Sequence, residues 1–253
     1  MHALVTGASS GIGREIARLL AKRGYDLILV SRREERLRQL KEEIETSCGV
    51  AVEVKPCDLS RIGNVRKLFE ECSGYDIEVL INNAGFGKIG FFEDIEEEHE
   101  LEMIATNVAA PYLLTKLFLD KMKRGYIMNV SSLAAFQPNP KMAVYGASKA
   151  FINSFSKAVG YELKRQKKPI YICTLCPGPV DTEFNDVAKG HFNVKAMSPG
   201  RCARIAVEGM FRKKRMVIPG FLMKLVYFAS KLAPDAMRLP ISYCIQDKKT
   251  RQQ

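Results

Sequence analysis

Tyr145 and Lys149 stand four residues apart in the stretch AVYGASKAF. If that stretch is helical, both side chains leave one face, a turn apart. A phenol with a pKa of about 10 is protonated at neutral pH, and an ammonium nearby favours its ionised form. Such a pair suits a tyrosine that gives a proton to a developing alkoxide, or removes one from an alcohol in reverse. Each unit of pKa shift is worth about 1.4 kcal/mol. Upstream, YIMNVSS ends on Ser131 and Ser132, and a hydroxyl there can hydrogen-bond an oxygen on which charge builds. Asn107 lies inside a long helical pattern, where a short polar side chain contributes little to helix stability. Plainer readings exist for each. Tyr-x-x-x-Lys pairs are common on solvated helices, and Asn107 could be a tolerated surface residue.

A second kind of chemistry is written in TGASSGIG, Thr6 to Gly13. Glycines 7, 11 and 13 permit a tight turn and close backbone approach, and free N–H groups at the start of the next helix attract an anion. The spacing G-x-x-x-G-x-G departs from the GxGxxG fingerprint, but its place behind the first strand favours a phosphate site over a plain turn. The following strand ends near Val30 and Ser31. A carboxylate there would bond the ribose 2′-hydroxyl of NAD and repel a 2′-phosphate. None is present: LILVSRREERL offers the Ser31 hydroxyl and the Arg32 and Arg33 guanidinium groups, which suit a phosphate dianion. Glu34 and Glu35 are expected in the next helix, pointing away. NADP(H) is therefore expected in preference to NAD(H).

The elements that must position these residues follow from periodicity. Strands are expected near 2–6, 26–31, 50–55, 77–82, 126–131, 170–175 and 215–218. Helices are expected near 11–23, 34–46, 61–72, 95–123, 144–166 and 199–212. This alternation implies βαβ crossovers, and so an α/β fold: a doubly wound, mostly parallel seven-stranded sheet of Rossmann type with helices on both faces. Ligands in such a sheet sit beyond the carboxyl ends of the strands, which is where the two serines fall. The chain has 253 residues and no Pro/Gly/Ser-rich linker, so one domain over 1–253 is expected.

Seven scattered cysteines form no disulfide framework, which points to a reducing compartment. Cys173 and Cys176 form a CxxC, but in a strand residues three apart face opposite ways. His2, His99 and His191 are the three histidines; none pairs at ligand spacing, and no metal is expected. His99, in EEEHELE, is read as a surface helix residue. No signal peptide and no apolar stretch long enough to span a bilayer is visible, so a cytoplasmic location is expected, with peripheral membrane association as a variant.

Taken together and in order, these motifs resemble the short-chain dehydrogenases/reductases, in their short single-domain branch, over roughly residues 2–185. TGASSGIG, CDLS with Asp58, NNAG at 82–85, Asn107, Ser132, Tyr145, Lys149 and PGPVDT at 177–182 carry the resemblance. It implies an oxidoreductase moving a hydride between a nicotinamide and a carbonyl or secondary alcohol, without a metal. It implies catalytic roles for Asn107, Ser132, Tyr145 and Lys149. The serine thirteen residues before the tyrosine is Ser132, and Asn107 would disturb its helix and hold a water linking Lys149 to solvent. Cofactor contacts are implied for Gly7, Ser9, Ser10, Gly11, Ile12 and Gly13 in the turn and for Ser31, Arg32 and Arg33 at the corner, where a basic residue goes with NADP(H). They are implied too for Asp58 and Leu59 by the adenine, for Asn83 near the adenosine ribose with Ala84 and Gly85 after it, and for Tyr145 and Lys149. Pro177, Gly178, Val180 and Thr182 complete the set, with Thr182 on the nicotinamide carboxamide. The family also implies a substrate lid over 183–200 and homodimers or homotetramers formed through the helices at 95–123 and 144–166.

Charge is uneven. The chain carries +11, with 39 basic and 28 acidic residues; from Lys189 onward there are 14 basic and 3 acidic, so residues 1–188 are balanced. Residues 219–253 read as a basic, apolar C-terminal extension. Within it FLMKLVYFASKLAP, 221–234, is apolar nearly all round if helical, broken by Lys224 and Lys231. Such a segment must be covered by the protein, by a partner or by a bilayer surface. Packing within the protein or a dimer is expected, with peripheral membrane contact through 212–234 as the alternative, because basic residues 212–215 would favour anionic lipid. Nucleic acid is not expected, since no binding motif is present. FGKIGFFEDI, 86–95, and the lid are rich in phenylalanine, which suits an apolar carbonyl substrate such as those of 3-oxoacyl or sterol-type reductases, though these rings could equally pack in the core. A non-catalytic NADP-binding scaffold or sensor on the same fold is the main competing function; it would be signalled by loss of Ser132, Tyr145 or Lys149, and all three are present. An epimerase or dehydratase of the extended branch would need a larger C-terminal substrate domain.

Overall fold

Runs of Val, Ile and Leu become strands covered from both sides. The chain's computed structural model describes residues 1–184 and 196–250. β1 (His2–Thr6), β2 (Asp26–Ser31), β3 (Val52–Pro56), β4 (Ile77–Asn82), β5 (Gly125–Val130), β6 (Ile170–Leu175) and β7 (Met216–Val217) form one sheet in the order β3-β2-β1-β4-β5-β6-β7. Every pairing is parallel. Successive side chains feed opposite cores. Ala3, Val5, Leu27 and Leu29 pack beneath α1 (Gly11–Ala21), α2 (Glu34–Cys48) and α7 (Pro199–Phe211). Leu4, Ile28, Val30 and Leu80 pack against α3 (Ile62–Cys72), α5 (Ala110–Lys121) and α6 (Ala143–Arg165). The order runs one way from β1 and the other way from β4, which opens a crevice at their carboxyl ends. Cys173 faces the first core while Cys176 packs with Ile218 and Tyr227, and burial pushes both thiols up to about 12. Two buried thiols on opposite faces cannot act together.

The helix expected over 95–123 is interrupted. α4 (Glu97–Ile104) passes through a π turn at Ala105–Ala109 before α5 begins. Pro111 is the physical reason: it has no N–H to give to the carbonyl of residue 107, and its ring would collide there. The wider turn, with the Ala110 amide on the Ala105 carbonyl, relieves that clash. His99 does not lie free on the surface either; it is half-buried, its ring 5.2 Å from that of Phe86.

At the end of the chain residues 221–234, read from the sequence only on the condition that they are helical, form the helix α8 (Phe221–Leu232), and a second one, α9 (Asp235–Thr250), follows it with Pro240 inside. Met223 and Tyr227 dock α8 onto Cys176, Ile218, Leu133 and Phe136. No helix among the described residues is long and apolar enough to cross a membrane. Of the lid expected over 183–200, residues 185–195 lie outside the described residues.

Candidate active site

α6 brings Tyr145 and Lys149 to the carboxyl edge of β5, where the chain leaves the sheet through Ser131 and Ser132. The two serines part company there. Ser131 is buried and donates to the Lys149 carbonyl at 2.7 Å, tying α6 to the strand end. Ser132 is half-buried, accepts the Ala134 amide at 3.1 Å and hydrogen-bonds the Tyr145 phenol. Asn139 pins the intervening turn by donating to the Ala134 and Gln137 carbonyls at 2.7 and 2.6 Å. It does so because Gly146 leaves room; a Cβ at Gly146 would come 2.4 Å from the Asn139 amide nitrogen.

Electrostatics depart from what the spacing alone suggests. Burial pushes the Tyr145 phenol up to about 12, against a smaller opposing effect of the Ser132 hydrogen bond. Lys149 Nζ donates to the Val130 carbonyl at 3.0 Å and lies 5.7 Å from the Tyr145 ring centroid. Its ammonium is pulled down to about 8 by burial, which the nearby Cys176 opposes. Desolvation thus outweighs the attraction between the two charged forms, and both groups favour neutrality.

Asn107 sits on the π turn and is 1% exposed, so it is no surface residue. Its amide donates to the Phe86 carbonyl at 2.9 Å and to Ser148 Oγ at 3.1 Å, while its oxygen accepts the Phe86 amide at 3.1 Å. The loop after β4 is thereby fastened beside α6. Gly85 marks the closest approach: a Cβ there would lie 2.8 Å from Asn107 Oδ1 and 3.2 Å from Lys149 Nζ.

The Gly-rich turn opens from β1. Gly11 adopts φ +55°, and a Cβ on it would lie 3.0 Å from Thr182 Cγ2, so the 177–182 loop closes over the turn. Within that loop the Pro177 carbonyl accepts the Leu133 amide at 3.0 Å, and Val180 bridges to Met197. Gly178 abuts Met223. Asn83 sits under the turn: its side chain donates to the Thr6 and Gly7 carbonyls at 3.0 and 3.2 Å, while Thr6 Oγ1 accepts the Asn83 and Ala84 amides at 3.0 Å. Leu59 is in the second core. Asp58 accepts the Ser60 amide and hydroxyl at 3.1 and 2.8 Å. Burial opposes its charge, yet those bonds and the Arg32 and Arg61 guanidinium groups hold its carboxyl below the usual range.

The corner at the end of β2 is a network spanning the site. The Arg33 guanidinium donates to Ser9 Oγ at 3.1 and 2.9 Å, to Ser10 Oγ at 2.7 Å and to Glu183 at 2.6 Å. Arg36 also bonds Glu183, and the two arginines push that carboxyl down to about 2. Ser31 Oγ accepts the Arg33 amide at 3.1 Å, and Arg32 is exposed. Beside them lies a cavity of about 350 Å³ lined by Ser9, Arg14, Arg18, Arg36, Gln39 and Glu183 among others. Glu34 turns away to Arg38.

A phosphate-bearing dinucleotide fits these residues. Ser10 occupies the N-cap of α1 yet makes no side-chain cap bond to it, because its hydroxyl accepts from Arg33. The first-turn N–H groups of α1 are therefore left for an anion, with arginines close by to neutralise a further phosphate. On the substrate side Phe86, Ile89, Met103, Met142 and Phe184 gather on Tyr145, the Phe184 ring 5.3 Å from it. The predicted residues thus meet in two groups: Asn107, Ser132, Tyr145 and Lys149 with Gly85 at one end, and Ser9, Ser10, Ser31 and Arg33 at the other. Sequence reasoning missed Glu183, Arg36, Asn139, Ser148 and the Val130 carbonyl. Glu183, Arg36, Ser148 and the Val130 carbonyl act through partners distant in sequence, and Asn139 through carbonyls of its own turn; no recognisable motif announces any of them.

Residues 1–191 match the sequence family described as short chain dehydrogenase. The chain is 41% identical over 174 residues to a very-long-chain 3-oxoacyl-CoA reductase of Kluyveromyces lactis, an alignment covering 64% of this chain and 50% of that protein. It is 31% identical over 233 residues to the very-long-chain 3-oxoacyl-CoA reductase of Anas platyrhynchos, covering 89% and 74%. The match thus spans half the length of the yeast relative. Among solved structures, a short-chain dehydrogenase from Sphingobium yanoikuyae in complex with NADPH superposes with a TM-score of 0.83 at 31% identity, over 95% of this chain and 94% of that one.

Proposed function

This chain belongs to the short-chain dehydrogenase family, and from that premise we propose that it is an NADP(H)-dependent reductase of a lipophilic ketone or 3-oxoacyl group, reversible toward the secondary alcohol. The observation that carries the proposal is the convergence of Ser132, Tyr145 and Lys149 beside Gly85 at the carboxyl edge of the sheet.

A bound nicotinamide supplies or accepts the hydride. Tyr145 Oη gives its proton to the carbonyl oxygen as negative charge builds there, and recovers it from the alcohol in reverse. Ser132 Oγ donates a hydrogen bond to the same oxygen, fixed for that task by the Ala134 amide it accepts. The Lys149 ammonium stabilises the phenolate left behind. Asn107 is a positioning residue: by holding Phe86 and Ser148 it sets the β4 loop against α6. Phe86, Phe184, Ile89 and Met142 exclude water around Tyr145 and favour an apolar substrate.

The cofactor groups expected from the sequence keep their roles in this reading. Gly7, Ser9, Ser10, Gly11, Ile12 and Gly13 would take the pyrophosphate. Ser31, Arg32 and Arg33 would take the 2′-phosphate, with Glu183 giving way to it. Asp58, Leu59, Asn83, Ala84 and Gly85 would line the adenosine side, and Pro177, Gly178, Val180 and Thr182 the nicotinamide. The choice of NADP(H) rests on the arginines and on the missing acid at Ser31; the NADPH carried by the Sphingobium neighbour is in keeping with it. Exposed Leu101, Ile104, Tyr112, Phe151 and Tyr161 on α4, α5 and α6 support assembly as a homodimer or homotetramer through those helices.

The test is NADPH oxidation against a panel of ketones, 3-oxoacyl thioesters, steroids and sugars. Turnover of at least one apolar carbonyl, lowered by roughly 10²- to 10⁴-fold in Tyr145→Phe, is expected. Binding of NADPH with no turnover across the panel would instead favour a nucleotide-binding scaffold.

A further inference from the structure

α9 is built inside out. A helix lying on a protein in water turns its apolar stripe inward and its polar residues outward. Here Arg238, Ser242 and Gln246, spaced four apart, face the body; Ser242 is 1% exposed and Gln246 7%. Outward stand Met237, Leu239, Ile241, Tyr243 and Ile245. The inward contacts are specific: Arg238 donates to the Ser230 and Phe136 carbonyls at 2.9 and 3.3 Å, and the neighbouring Asp247 pairs with Lys141 at 2.6 Å. α8 continues the same outer surface with Phe221, Leu222, Leu225, Phe228 and Leu232, of which Leu232 is 87% exposed. So many large apolar side chains exposed on two successive helices mark a docking site.

We propose that this helical pair docks on an anionic lipid bilayer, lying in the plane of its surface. α8 is about 18 Å long at 1.5 Å per residue, short of the roughly 30 Å of a hydrocarbon core, so it lies along the interface. Charge decides between a bilayer and a second copy of the chain. Lys224 and Lys231 are exposed two turns apart along one flank of this apolar face, the Lys231 ammonium 4.8 Å from the Tyr227 ring. Protein interfaces are depleted in lysine relative to the rest of the surface, and a two-fold pairing would bring each patch, with its flanking lysines, against itself. At a bilayer the same lysines lay their stems along the apolar layer and reach the phosphates. Both acids of the pair, Asp235 and Asp247, are already engaged by Arg238 and Lys141. The basic residues 212–215 take no part, since Lys213 lies by Tyr171 near the amino end of β6.

Docking would set the substrate mouth at the lipid surface. α8 packs on the turn that follows Ser132, with the Tyr227 ring 4.6 Å from Phe136 and Met223 against Gly178. Exposed Phe91 extends the surface across the mouth, since Lys141 lies 4.5 Å from its ring and 5.5 Å from that of Tyr243. A lipophilic carbonyl compound dissolved in the bilayer could then enter without crossing water; this last step rests on the reductase reading above.

Flotation of the full chain with vesicles tests the docking without reference to catalysis. Binding is expected to vesicles of phosphatidylcholine with phosphatidylglycerol, and weakly to phosphatidylcholine alone. Lys224→Gln with Lys231→Gln should weaken partitioning roughly 30-fold. Leu225→Asp with Phe228→Asp should abolish it while leaving the circular dichroism spectrum and the turnover of a short, water-soluble ketone unchanged. A chain that floats with neither vesicle, or floats equally well as Leu225→Asp/Phe228→Asp, overturns the proposal. So does a Leu225→Asp/Phe228→Asp chain that loses an oligomer in light scattering while the parent never floats, which would assign the surface to a second copy. A chain that floats but reduces nothing leaves docking intact and removes the reductase reading instead.

Discussion

The body of the protein and its C-terminal helical pair treat polarity in opposite ways. Beneath the sheet, Asn82 donates to Asn129 at 2.8 Å and to Thr115 at 3.2 Å, and Asn129 passes a bond to Ser156 at 2.9 Å. These polar groups are buried together and bonded to one another, inside an apolar shell that includes Phe118, Leu4 and Leu80. In α9 polar residues turn inward as well, with Ser242 and Gln246 buried, but there the large apolar side chains turn out. The body is arranged as water dictates. The pair is arranged as a second medium would dictate.

The largest effect should come from the body's chemistry. Tyr145→Phe removes the proton donor and little else, so turnover should fall by roughly 10²- to 10⁴-fold, while nucleotide binding measured by fluorescence stays within a few-fold. Wild-type turnover in that variant would mean that the buried pair is structural. Packing separates the two regions almost as sharply. Phe118→Ala should cost about 3–5 kcal/mol in denaturant unfolding, whereas Leu232→Ala, which removes a side chain already in the open, should stay within about 0.5 kcal/mol. A large loss at Leu232 in detergent-free solution would show that the pair is already covered there.

The same contrast explains what the sequence made legible. All seven strands fall within about two residues of their expected bounds, because a strand buried on both faces must be a short, continuous apolar run. The Tyr145/Lys149 pair and the Gly-rich turn were readable because their geometry is local to one helix or one turn. Three features were not. The π turn at Asn107 depends on Pro111, four residues on, inside a pattern that otherwise reads as unbroken helix. The Arg33 network depends on Glu183, which lies 150 residues away in the chain. α9 was hidden because Pro240 argues against a helix, and because a polar stripe at 238, 242 and 246 looks like a solvated face when it is in fact the docked one.

At the cofactor corner the expected effects are smaller and discriminate between neighbours. Arg33 touches Ser9, Ser10 and Glu183, so Arg33→Ala should raise the KM for NADPH roughly 10- to 100-fold, the range for one charge-assisted hydrogen bond, and leave NADH nearly unchanged. Arg32→Asp should shift the preference the same way by exchanging a guanidinium for a carboxylate beside Ser31, where NAD enzymes of this fold carry their acid. Equal losses for both nucleotides in both variants would assign this corner to folding. Glu183→Gln sharpens the point: if the carboxylate competes with a 2′-phosphate for Arg33 and Arg36, its loss should tighten NADPH binding and not weaken it.

The smallest effect is a slope. Lys149 is held at about 8 against an ordinary 10.5, mainly by burial. Between those values the unfolded chain binds a proton that the folded chain lacks, so this residue makes stability rise with pH from about 8 to 10.5, by at most about 1.4 kcal/mol per unit. The buried thiols act the other way. Cys173, Cys176 and Cys202 are raised from 9.0 to about 12 by burial, so they keep protons the unfolded chain gives up, and stability falls as pH passes 9. The raw pH curve therefore mixes opposing signs. The difference between the wild type and Lys149→Met removes the thiols, since both proteins carry them, and removes any constant cost of leaving the Val130 carbonyl without its donor. What remains is the lysine, together with the change its removal makes to the neighbouring Cys176 thiol. Urea midpoints taken from pH 7.5 to 10.5 should show the wild type gaining on the variant throughout the upper part of that window. A difference that stays flat would mean that Lys149 titrates in the folded protein as it does in the unfolded chain, with an ordinary ammonium beside Tyr145 through most of that window, and would return the pair to the simple attraction that its spacing alone suggests.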